Sequence, residues 1–232
     1  MVCSRVPALA APFAYDQPTI TRSWSAFLVH VPTMLLIWVV SAVITAVGLG
    51  VNLVILAIAG WPEAGDEAFT LASLLSNLGQ LPFSILASFV GVLFVAVPAL
   101  YFSSGSEIGV AEAFSELSRR PLRYFLAGVL FAVVSTFGVL LCILPGLLVA
   151  LVMPVYVNLI FTTDRPINDA FAAAFQACYG TPGGRIFLGI ELLVWAVVVV
   201  VAICTCGLGA LLAVPLSSFY LQNAIYHRGL VS

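Results

Sequence analysis

The stretch IGVAEAFSELSRRP (108–121), running on as PLRYFLAGVLFAVV to residue 134, decides the fold. It sets a short segment of mixed polarity, two arginines and a proline directly before an apolar run. The same order of residue types returns as DAFAAAFQACYGTPGGRIFLGIELLV (169–194). At one constant offset and without a gap, Ala111, Ala113, Phe114, Pro121, Gly128, Val133, Gly146, Leu147, Leu151 and Pro154 recur as Ala172, Ala174, Phe175, Pro182, Gly189, Val194, Gly207, Leu208, Leu212 and Pro215. Small apolar residues coincide by chance in such sequences, but prolines and glycines in register do not do so easily. The reading is one hairpin plan used twice. A diverged first copy extends it: Asp16, Pro18, Trp24, Phe27 and Pro32 echo Asp164, Pro166, Phe171, Phe175 and Pro182, and LFVAVPALYF (93–102) echoes LVMPVYVNLIF (151–161). The repeat units are then about 16–103, 105–162 and 164–227.

Composition says which solvent these hairpins fold in. Hydrophobic residues make up 62% of the chain and charged residues 8%, with a mean hydropathy of +1.18. Soluble domains are roughly half apolar and about a quarter charged, so the expected solvent is lipid. A bilayer core about 30 Å thick takes a helix of about 20 apolar residues. Six runs qualify, at 32–59, 81–103, 122–143, 146–162, 184–205 and 207–227. None alternates as a strand does, so the expected fold class is all-α: a polytopic membrane helix bundle of six transmembrane helices built from repeated hairpins. The first run is too long for one upright span, and Gly48 and Gly50 mark a bend in it unless the helix tilts and projects. The expected domains are a cytoplasmic tail and interfacial helix at 1–31 and a six-helix membrane domain at 32–232.

All eight basic residues are arginines, and they fix the orientation. Arg5 and Arg22 precede the first span; Arg119, Arg120 and Arg123 lie between spans two and three; Arg165 and Arg185 lie between four and five; Arg228 follows the last. The opposite side receives Glu63, Asp66 and Glu67, with tight turns at LPG (144–146) and CTCGLG (204–209). The positive-inside rule then places both termini in the cytoplasm, with Trp61, Tyr101, Tyr124 and Tyr226 near the interfaces. The opening MVCSRVPALAAPFAY is too short and too broken by Pro7 and Pro12 for a cleaved signal peptide, and Cys3 reads as a cytoplasmic thiol.

Short amphipathic segments precede the hairpins. In PINDAFAAAFQAC the residues Ile167, Ala170, Phe171, Ala174, Phe175 and Cys178 form one stripe, with Asp164 as a cap and Pro166 in the first turn. In the earlier copy Val110, Phe114 and Leu117 form the stripe, and Ser104 and Glu107 have capping-box spacing. These are expected as cytoplasmic interfacial helices, lying on lipid or covering the spans. A further surface helix, with Phe69, Leu74, Leu75 and Leu78, is expected on the outer side before span two.

Chemistry-bearing residues are few. Glu191 is the only charged residue well inside an expected span, where an unpaired carboxylate is costly. Its counterpart in the other hairpin is Leu130. It either fixes packing through Arg123, Arg185 or Asn158, or handles a proton or substrate with Asn158 and Gln222, the candidate intramembrane polar site. His30 and His227 read as free interfacial imidazoles. No paired histidines, HExxH or carboxylate cluster points to a metal, and no GxSxG to a serine nucleophile. GLG at 48–50, GG at 183–184 and GLG at 207–209 read as bends and close helix contacts. Cys142, Cys204 and Cys206 fall at outer span ends; Cys142 and Cys204 are a candidate disulfide between hairpins in an oxidising compartment, or else buried thiols acting as small hydrophobes.

The run DAFAAAFQAC, GRIFLGIELL and CGLGALLAVPLSSFYLQNAIYH resembles bacterial six-helix integral membrane proteins of unknown function, in the broad group of the glycerophosphodiester phosphodiesterase membrane domain. The resemblance covers about 105–228 and rests on structural motifs. It implies no catalytic residues, and with no soluble phosphodiesterase domain that activity is not carried over. The expected function is a non-enzymatic membrane module that organises or regulates partners, with a small transporter or lipid-handling protein second and an intramembrane enzyme a distant third. Membrane lipids and unidentified proteins are the expected partners. No cofactor is expected, and scattered arginines give no nucleic-acid stripe.

Overall fold

The computed structural model describes residues 10–58 and 66–231. The expectations for Cys3, Arg5 and the N-terminal stretch, for Trp61 and Glu63, and for the side chains of Asp66, Glu67 and Phe69 lie outside the described residues. Among the described residues every regular element is helical. After a 3-10 turn at Pro12–Tyr15 come α1 (Ile20–Ile58), α2 (Asp66–Gly91), α3 (Leu93–Ser104), α4 (Val110–Arg119), α5 (Pro121–Leu141), α6 (Ile143–Ala150), α7 (Met153–Thr162), α8 (Ile167–Gly180), α9 (Pro182–Cys204) and α10 (Ala210–His227). Five stretches are long and apolar enough to cross a membrane: Ile20–Ile58, Thr70–Ser104, Pro121–Leu141, Ile143–Thr162 and Pro182–Cys204. The sixth expected run is α10, whose 18 residues include Ser217, Ser218, Gln222 and Asn223.

The chain divides into two compact units, Leu35–Val92 on the one hand and Met1–Met34 with Leu93–Ser232 on the other. The smaller unit is a helical hairpin. Its two helices meet at glycines: a Cβ on Gly48 would lie 2.7 Å from Phe83 Cβ, and one on Gly79 would lie 2.7 Å from Ile55 Cδ1. A polar tie crosses the same seam, with Asn52 Nδ2 donating to Ser76 Oγ at 3.0 Å and to Gln80 Oε1 at 3.4 Å. α1 stays helical through Gly48 and Gly50, and Gly48 serves close contact. A helix of 39 residues follows a path of about 58 Å at 1.5 Å per residue, longer than an upright span across a core of about 30 Å needs. The separate surface helix expected before span two is likewise absent as such, because α2 runs unbroken from Asp66 through Pro82 to Gly91.

In the larger unit α3, α7 and α10 pack on one another, α9 packs on α8 and α10, and α8 packs on α7. Helix–helix turns here depend on close backbone approach. The chain reverses from α5 into α6 at the single extended residue Cys142 (φ -175, ψ 151), with a Cβ on Gly138 only 2.9 Å from Gly146 Cα. The turn expected at LPG therefore falls earlier. Pro145 sits in the first turn of α6, where a missing N–H leaves nothing unpaired. The α9–α10 turn lies where expected, with Cys206 at φ 51 and Gly207 at φ 90.

The expected helix boundaries hold at two prolines and fail at the third. Before Pro121 and Pro182 the chain leaves helical geometry, at Arg120 (φ -138, ψ 57) and Thr181 (φ -113, ψ 149), as proline disfavours a helical predecessor. At Pro32 the helix continues. That turn is pinned from outside: the Ile108 N–H donates to His30 Nε2 at 3.1 Å and Thr33 Oγ1 donates to the Ile108 carbonyl at 3.2 Å. The expected caps also differ. Asp164 forms an ion pair with Arg120 rather than capping α8. Ser104 Oγ bonds Ser106, and α4 starts only at Val110.

Candidate functional site

Two buried polar places stand out in the larger unit. The first is a knot between α7 and α10. Asn158, Gln222 and Asn223 are all 0% exposed. Asn158 Nδ2 donates to Gln222 Oε1 at 2.7 Å, and Gln222 Nε2 donates to the Pro154 carbonyl at 3.0 Å. Asn158 Oδ1 receives the Thr162 hydroxyl at 3.1 Å and the Tyr226 hydroxyl at 3.4 Å. Asn158 and Gln222 thus satisfy one another inside the protein, which offsets the cost of burying them, whereas Asn223 Oδ1 has no donor among the described residues.

The second place is Glu191, also 0% exposed, with neither carboxylate oxygen hydrogen-bonded among the described residues. It continues the buried stripe of α9 formed by Gly184 and Phe187. Gly184 is pressed so close to α8 that a Cβ would meet the Ala177 carbonyl oxygen at 2.0 Å and that of Cys178 at 2.3 Å. Glu191 lies within electrostatic reach of Cys178 and Tyr179 of α8. Burial pushes the Cys178 thiol up to about 12 and the Tyr179 phenol to about 12.

The three residues of the candidate polar site therefore fall into two groups. Asn158 and Gln222 are joined, while Glu191 bonds to neither. Its suggested partners are also engaged elsewhere. Arg123 Nη2 donates to the Thr163 carbonyl at 2.8 Å, capping the carbonyl end of α7, and Arg185 Nε donates to the Tyr179 carbonyl at 3.3 Å at the end of α8. A cation at a helix C-terminus is favoured by the exposed carbonyls there. Cys142 and Cys204 are both exposed free thiols, as is Cys206.

His30 is not the free imidazole expected. It is 1% exposed, with Nδ1 at 2.7 Å from the Ala26 carbonyl and Nε2 at 3.1 Å from the Ile108 N–H. A carbonyl only accepts and an amide only donates, so Nδ1 carries the proton and the ring is neutral. His227 Nδ1 bonds the Tyr15 carbonyl at 2.9 Å. That contact belongs to a docked segment that the sequence did not announce: the Ala11 N–H donates to the Phe102 carbonyl at 3.2 Å, and Asn223 Nδ2 donates to the Ala14 carbonyl at 2.9 Å. The adjacent polar pair Gln222–Asn223 in an apolar run was the available signal, but its backbone partner more than two hundred residues away left none.

Among the described residues no group of His, Cys, Asp and Glu is placed to hold a metal. No known family, no curated protein and no solved structure matches the chain.

Proposed function

We propose that this chain is an integral membrane module of the bacterial inner membrane that organises or regulates partner proteins within the bilayer. Its six spans form three hairpins, with the arginine-bearing loops and both termini on the cytoplasmic side. The observation that carries the reading is the closed centre of the larger unit. Asn158 and Gln222 satisfy one another and the Pro154 carbonyl, so these two buried amides are committed to structure. The outer surfaces are the opposite: only 17% of the most apolar stretch of α5, and 17% of that of α9, is buried. That leaves broad helix faces for lipid and for other membrane helices, which pack in lipid by shape and small residues rather than by the hydrophobic effect. The α4 and α8 segments, with Ala113 and Leu117 or Ala170, Ala174 and Cys178 turned inward, are read as cytoplasmic interfacial helices covering the spans.

Two measurements test the proposal. Cysteine placed at Asn158 should resist aqueous thiol reagents in the native membrane, whereas ready labelling would indicate a water-filled path and sink the closed-core reading. A photoreactive residue at Trp195, exposed on α9, should give discrete protein adducts in living cells; adducts to lipid alone would remove the partner role. A second reading, a small transporter or lipid-handling protein using Glu191, is favoured by one observation, the carboxylate left without a partner. Unchanged substrate flux and growth in Glu191→Gln would remove it.

A further inference from the structure

Glu191 is the one acidic side chain that is wholly enclosed among the described residues, and nothing there donates to either of its oxygens. A carboxylate in such a place has lost its water and gained no cation or donor in exchange. The titratable groups facing it come from α8, namely Cys178 and Tyr179, and neither brings a positive charge. From α10, packed on the other side of α9, the titratable groups are Tyr220, Tyr226 and His227. Tyr226 is turned to Asn158 and His227 to the Tyr15 carbonyl. On α9 itself Arg185 is committed to the Tyr179 carbonyl.

α8 packs along the face of α9 that carries Glu191, with Ala170, Ala174 and Cys178 buried. α8 is 14 residues long and ends at an extended residue, Thr181, where the chain turns into α9. It is held by side-chain latches: the Tyr179 hydroxyl donates to the Leu148 carbonyl at 2.7 Å, and Arg185 reaches back to Tyr179. Gly184 allows the close seating that shuts the seam.

We propose that Glu191 is a proton-binding site gated by α8: its carboxyl is held as the neutral acid while α8 is docked, and it passes its proton to water when α8 lifts from α9. In the step one O–H bond of the carboxyl breaks, water takes the proton, and the carboxylate left behind is hydrated in the opened seam. Docking is then strongest at low pH and is lost as pH rises, because the undocked carboxyl ionises and the docked one does not. The site goes beyond the module reading and does not depend on it, since it needs only the α8–α9 seam.

The test uses the purified full chain in lipid nanodiscs, with Cys178 as the sole cysteine. Burial pushes the docked thiol up to about 12, so labelling by a water-soluble maleimide reports lifting of α8. If each opening releases one proton, the labelling rate rises about tenfold per pH unit beyond the ordinary thiol dependence. Glu191→Gln and Glu191→Leu, the latter matching Leu130 in the other hairpin, should abolish that excess; equal pH slopes in the native chain and both variants would overturn the gate. The proton itself is read by infrared spectroscopy of the native chain. A protonated-carboxyl carbonyl band is expected at neutral pH, and its absence would refute the proposal even if neither variant folds. A band present without the labelling excess would equally overturn the gating.

Discussion

Replacing Gly184 by alanine tests the α8–α9 seam most directly. The new methyl would sit 2.0 Å from the Ala177 carbonyl oxygen and 2.3 Å from that of Cys178, where ordinary contact begins at 3.4 Å. Both obstacles are backbone atoms, so no side chain can swing aside, and α8 must move by about 1.4 Å to restore contact. Overpacking of this kind costs about 1–3 kcal/mol, set against about 0.5–1 kcal/mol gained by removing a helical glycine. With an obstacle made of backbone the upper part of the range applies, leaving a net loss near 2 kcal/mol. For a chain of this size that lowers the melting temperature by about 4–8 °C. Gly189 on the same helix is the control, since nothing lies within 4 Å of the position of its Cβ. Gly189→Ala should leave the melt unchanged or raise it by about 2–4 °C. Thermal unfolding of the two variants in one detergent reads the difference, and maleimide labelling of Cys178 reads whether α8 has been displaced. If Gly184→Ala melts no lower than Gly189→Ala and Cys178 stays unreactive, the close seating of α8 is wrong.

The knot between α7 and α10 should show as coupling. Asn158→Leu and Gln222→Leu each strand a partner, and a double-mutant cycle should give about 0.6–1.7 kcal/mol of interaction; additive losses would mean the two amides do not meet. His30→Leu leaves the Ile108 N–H without an acceptor and should cost about 1–3 kcal/mol, visible as a lower melting temperature and faster hydrogen exchange at Ile108. Reporters fused after Asp66, Ser118 and Ser232 should read outside, inside and inside. A reporter at Ser118 on the outer side would invert the topology.

How much of this was legible followed from the range of the forces involved. Helix class and most helix ends are local matters. Apolar length, the prolines at 121 and 182 and the positive-φ turn at Cys206–Gly207 all act within a few residues, and the sequence declares them. Pro32 misled because its effect was decided at Ile108, far along the chain. The caps assigned to Asp164 and Ser104 failed for the same reason in smaller form, since each side chain had a better partner than the nearest helix end. Glu191 was recognisable as an anomaly from hydropathy alone. That Arg123 and Arg185 would spend their donors on helix-terminal carbonyls rather than on it depended on geometry that no spacing encodes.

The buried polar groups also have a pattern of their own when they are set against the prolines of the inner helices. Pro98, Pro154 and Pro215 are all buried, and four residues after each comes a wholly enclosed side chain, Phe102, Asn158 and Phe219. A spacing of four keeps the pair on one helix face, so the same inward register is filled twice by phenylalanine and once by asparagine. The asparagine needs a partner, and it finds one at Gln222 on α10. Two polar side chains in an apolar core thus satisfy each other. Glu191 has no such partner among the described residues. An enclosed carboxyl group is costly unless a neighbour satisfies it, so what separates Glu191 from the two amides is the missing donor among the described residues and not its burial.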